Sequence, residues 1–143
     1  MASKLTLFLS LSWLLVANLS SAQGNDLEYW IIANDISLNK LERSNIEPIL
    51  LGEQSMWRNG RQIIVVHYTN KSPEAQLTAD LFFDGKVTTM QKYWLGMVFQ
   101  GRVKPPVFLG SHKEIVDYVS THQGAIAIVY SSDFPEQLAI EIE

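Results

Sequence analysis

The 143-residue sequence contains no cysteine. A disulfide framework and thiolate chemistry are therefore both excluded. Basic charge is in short supply as well. Eleven Lys and Arg stand against 15 Asp and Glu, a formal −4, which argues against nucleic acid or an anionic membrane as the main partner. The three histidines, His67, His112 and His122, are far apart and show neither HxxxH nor HExxH spacing. A metal site needs convergent ligands, so none is expected. GxSxG, a Walker motif, a Gly-rich phosphate loop and a Ser-His-Asp order are all missing. The chain is accordingly read as non-catalytic, without cofactor. Repeats, low-complexity tracts and long linkers are absent too, which favours one domain.

What is present begins with an N-terminal leader. Lys4 supplies a positive start, Leu5 to Leu19 is an apolar stretch broken only by Thr, Ser and Asn, and Ser20-Ser21-Ala22 follows. This is the pattern of a secretory signal peptide over residues 1–22. The stretch is shorter than the ~18–20 residues that span a bilayer. Cleavage after Ala22 leaves residues 23–143 as the mature domain. Without Lys4 that domain carries ten basic and fifteen acidic residues, a formal −5. With no cysteine it must be held by its core, for which its apolar residues and Trp30, Trp57 and Trp94 suffice.

Strand and helix signals alternate along this domain. "LEYWIIAN" (Leu27 to Asn34) reads as a buried strand. "SNIE" (Ser44 to Glu47) has the form of a capping box before a short helix ending at Gly52, in which Pro48 is tolerated near the start. "RNG" (Arg58 to Gly60) is a turn leading into a strand over Gln62 to His67. Ser72 and Pro73 suit the N-cap and N1 positions of a helix reaching about Phe83. Met90, Tyr93, Trp94, Met97 and Val98 mark one apolar face of the next helix, which starts at Thr88 or Thr89 and ends at Gly101. "KPP" forces an extended connection, Ser111 caps a further helix, and "AIAIVY" (Ala125 to Tyr130) is a continuous apolar strand. "QLAIEIE" alternates and reads as a final edge strand. The order predicts an α/β domain with a mostly parallel sheet flanked by helices.

The turn "TNKS" between strand and helix is the candidate site. The first amides of a helix are unpaired and its dipole is positive there, which favours an oxyanion. Thr69, Asn70, Lys71 and Ser72 add hydroxyl, amide and ammonium donors. The simpler reading is that Ser72 caps the helix and Lys71 is solvated. Glu74 complements the dipole and repels an anion.

Three segments together resemble the phosphate-type periplasmic solute-binding proteins. They are "LERSNIEPILLGEQSMWRNGRQIIVVHY", "YWLGMVFQGRVKPP" and "GAIAIVY". The likeness runs from about Tyr29 to Tyr130. It implies one lobe of the type 2 periplasmic binding protein fold. It further implies an exported, periplasmic, non-catalytic protein that recognises phosphate or another small oxyanion for an ABC-type uptake system. An alternative implication is a degenerate lobe serving as a protein-interaction or sensory accessory module. Its partner would then be a membrane transporter or sensor protein. The chain departs from the family pattern in being about one lobe long. Glu74, Ala75 and Gln76 stand where an Arg is expected, and Ala127 replaces a glycine. Weak phosphate binding is the expectation.

Overall fold

The computed structural model describes residues 28–143. The leader and its cleavage point lie outside them. In chain order the elements are β1 (Trp30–Ala33), β2 (Lys40–Leu41), α1 (Arg43–Leu50), β3 (Ile64–Tyr68) and α2 (Pro73–Phe82). After these come α3 (Val87–Phe99), β4 (Val107–Leu109), α4 (His112–Thr121), β5 (Ala125–Val129), a 3₁₀ turn (Glu136–Leu138) and β6 (Ala139–Ile142). The six strands form one sheet in the order β2-β6-β1-β5-β3-β4. β3 pairs in parallel with β5 and β4, and β2 with β6, whereas β1 is antiparallel to both its neighbours. The sheet is thus mixed with a parallel half.

Every residue of β5 is buried, as expected for an apolar run covered on both faces. Helix α4 lies over β5, β3 and β1, and α2 packs on β3 and α3. Within β3, Val65 and His67 share one face and Val66 and Tyr68 the other, because side chains alternate along a strand. The His67 ring meets Trp94 of α3 at 5.5 Å and Phe108 at 6.1 Å. Gly52, at φ +74, lets the Trp94 indole lie against the end of α1, where a Cβ would stand 2.8 Å from Trp94 Cζ3.

Several expectations are corrected. Ser44 lies inside α1, whose N-cap is Glu42. The Arg43 amide donates to the Glu143 carbonyl at 3.0 Å, and the Asn45 amide to Glu42 O at 2.9 Å. These backbone partners satisfy the helix start, so the capping box is not used. The last segment is not an edge strand, since β6 lies between β1 and β2. "KPP" leads into a three-residue strand, β4, that forms an edge. Of the α3 stripe, Met90 and Trp94 are buried while Tyr93, Met97 and Val98 are half-buried. Trp57 belongs to the core as expected, its indole N–H donating to the Gly124 carbonyl at 2.9 Å.

Candidate functional site

Open α/β sheets hold ligands outside the carboxyl ends of their strands. Here β3, β4 and β5 end together at Tyr68, Leu109 and Val129. From β3 the chain passes to β4 on one side, then returns over β3 to β5 on the other. Both following turns, Thr69 to Ser72 and Gly110-Ser111, therefore open at one end of the sheet. The Thr69 amide donates to the Leu109 carbonyl at 2.9 Å and extends the ladder into the turn.

Ser72 has the extended backbone of an N-cap, and Pro73 opens α2. The Ser72 hydroxyl, however, makes no bond to its own helix. It donates to the Gly110 carbonyl at 2.8 Å, with Thr69 Oγ1 at 3.3 Å. Ser72 is buried, and its one proton stitches the two turns together. Thr69 is half-buried, and Asn70 and Lys71 are exposed. The structure thus brings Thr69 and Ser72 together and leaves Asn70 and Lys71 at the surface.

The second turn carries its own anion. Glu114 Oε2 accepts from the Gly110 amide at 3.0 Å and from the Ser111 hydroxyl at 3.1 Å, while Ser111 Oγ accepts from the Glu114 amide at 3.3 Å. A carboxylate of the chain thereby occupies an amide and a hydroxyl of the turn just before α4.

Two tyrosines complete the pole. Tyr68 and Tyr130 lie with ring centroids 6.1 Å apart, and Tyr130 Oη meets Thr78 Oγ1 at 2.9 Å. Burial, reinforced by the negative charge of Glu74, pushes the Tyr68 phenol up to about 12. Burial pushes Tyr130 higher still. Both phenols remain protonated at neutral pH, so each is a neutral hydroxyl that can donate or accept. The sequence reading passed over them. The available signal was a tyrosine at the end of each apolar parallel run, "IIVVHY" and "AIAIVY".

Tyr68 is only 1% exposed and the Tyr130 hydroxyl is paired with Thr78, so the hydroxyl that the pole leaves open to a polar solute is that of Thr69. Glu74 stands in the first turn of α2, and the guanidinium of Arg61 is occupied elsewhere, by Asp35 at 2.7 Å and Gln123 at 2.8 Å. Among the described residues no His, Asp and Glu cluster could hold a metal ion. His67 is buried, with its Nε2 3.2 Å from the Leu50 carbonyl. Beside the turn an apolar groove of 450 Å³ opens between α3 and β4, with Thr69 and Asn70 at one end.

No family model matches the chain, and no curated protein matches it in sequence. Among solved structures it is similar to an ABC-type phosphate transport receptor from Vibrio cholerae, with a TM-score of 0.52 and 14% identity. The match covers 80% of this chain and 45% of that receptor, so the chain spans less than half of the protein it resembles. At that identity the likeness is one of fold: a mixed α/β unit like one part of a solute-binding receptor.

Proposed function

We propose that this chain is an exported, non-catalytic recognition lobe that holds a small polar solute at the carboxyl ends of β3 and β5. The observation that carries the reading is the turn after β3, where the half-buried Thr69 hydroxyl stands beside Ser72 at a groove with no guanidinium in its lining. Phosphate is a poor ligand on this reading. A doubly charged oxyanion gains most from bidentate Arg contacts, and Glu74 opposes it. Neutral or singly charged solutes bearing hydroxyl or carboxyl groups fit the donor set better.

Thermal melts with phosphate, sulfate, small carboxylates and neutral polyols test this, with Thr69→Val as the probe. The substitution preserves shape and removes a hydroxyl whose only side-chain hydrogen-bond partner among the described residues is Ser72 Oγ, at 3.3 Å. A solute that raises the melting temperature of the parent chain but not of Thr69→Val supports the site. Silence of the parent toward the whole panel overturns it. A second reading, as a protein-interaction or sensory module for a transporter or sensor protein, is favoured by Phe99, 82% exposed near the end of α3. A photo-cross-linker at position 99 that captures a transporter or sensor protein in cells would favour that reading over the first.

A further inference from the structure

The apolar groove does not end at α3. A second cleft, of 630 Å³, adjoins it, and Trp94 and Pro105 stand in the walls of both. The groove is lined without any charged residue, by side chains such as Leu95, Val98, Pro106 and Phe108. The cleft is different. Arg102 and Lys104 line it together with Gln54, Ser55 and Gln62. Lys104 Nζ donates to Gln62 Oε1 at 2.8 Å, and Arg102 makes no ion pair among the described residues. Glu53 faces the Tyr93 phenol together with Arg102, so the rim is cationic by a single net charge. In the shared wall the Trp94 indole N–H is buried and has no acceptor among the described residues.

The two cavities follow β3 from Thr69 and Asn70 at its carboxyl end to Gln62 at its amino end, about 20 Å at strand rise. Each volume lies within the range of small-molecule sites. Two adjoining cavities, one apolar and one with a cationic rim, are together complementary to an amphiphile. We propose that this chain binds a free single-chain amphiphile with an anionic head, its apolar body between α3 and β4 and its head at Arg102 and Lys104. Leu95, 58% exposed, and Phe108, 40% exposed, are then the residues that the apolar body covers. The site goes beyond the solute pole, although its groove begins at Thr69 and Asn70.

Titration calorimetry with monomeric dodecanoate tests the proposal, with dodecyl maltoside and inorganic phosphate as controls. Dodecanoate should bind and raise the melting temperature, whereas the neutral-headed chain and the chainless anion should not match it. Arg102→Glu should weaken dodecanoate about tenfold by reversing the charge at the head, and Arg102→Lys should restore most of that loss. Leu95→Asp should weaken it at least about tenfold by placing a charge against the apolar body. Positions 95 and 102 are exposed, so ligand-free melts should not change. Three outcomes overturn the proposal. The first is no dodecanoate binding, or equal binding of dodecyl maltoside. The second is pelleting with anionic phospholipid vesicles without monomer binding, which would make the groove a membrane-docking face. The third is sedimentation showing a dimer that Leu95→Asp dissociates, which would put a second copy in the groove.

Discussion

His67 lies on β3, one strand in from the β4 edge, between two aromatic rings, with its Nε2–H directed to the carbonyl of Leu50, the last residue of α1. Burial lowers its pKa from 6.5 to about 4, opposed by that hydrogen bond. Below 6.5 the unfolded chain takes up a proton that the folded chain refuses. The neutral ring therefore contributes full stability above that value, and the contribution falls until the folded group titrates near 4. The drop over this window is about 3 kcal/mol. His67→Phe keeps a ring between Trp94 and Phe108 and gives up the bond to Leu50, at a cost of about 1 kcal/mol at pH 7.5. Denaturant titrations at pH 7.5 and 4.5 should show a much shallower acid loss in His67→Phe than in the parent. Equal losses would place the acid sensitivity in other groups. Gly124 is as constrained as His67 for a different reason. At φ +85 a Cβ there would lie 2.4 Å from the Gln62 carbonyl, while the Gly124 carbonyl accepts from both Ile64 N and Trp57 Nε1.

At the scale of elements, the starts of α2 and α4 look alike in sequence and differ in chemistry. Ser111 caps its helix in the usual way, whereas the Ser72 hydroxyl accepts nothing from its own helix and is directed instead at the Gly110 carbonyl of the neighbouring turn. Asp is as good an N-cap as Ser, so a capping Ser72 would tolerate Ser72→Asp. A carboxylate has no proton to give to Gly110, and the Gly110 carbonyl would face a negative charge at the buried position 72. Ser72→Asp should cost about 2 kcal/mol in chemical denaturation; a change below about 0.5 kcal/mol would mean that the hydroxyl acts as a cap after all. The same contrast explains what was legible in the sequence. Helices α2, α3 and α4 and strands β1, β3 and β5 announce themselves through caps, apolar spacing and continuous apolar runs. Strands β2 and β4 are two and three residues long, too short for any period, and exist only because a neighbouring strand pairs with them. Missing β2 also made β6 look like an edge. Of the candidate site, Thr69 and Ser72 were readable from their place before Pro73. Tyr68, Thr78 and Tyr130 were not, because their meeting depends on β3 and β5 lying side by side. Glu114 was equally hidden, since it acts through Gly110 in the preceding turn.

For the molecule as a whole, a likeness of fold to part of a phosphate receptor does not by itself carry phosphate binding with it. Calorimetry with inorganic phosphate should give a dissociation constant well above about 1 μM, weaker than about −8 kcal/mol; tighter binding would require a stronger cationic partner for the anion than the exposed Lys71 of the Thr69–Ser72 turn. The sheet also has a consequence in time. β1, the first strand, is antiparallel to β5 and β6, with Trp30 opposite Val129 and Ile31 opposite Ile140. Its two flanks are thus made about a hundred residues after it, and closing so long a loop precedes any gain from the pairing. A nascent chain of this kind holds its first strand open until the last ones emerge, and so stays without its completed sheet for most of its synthesis.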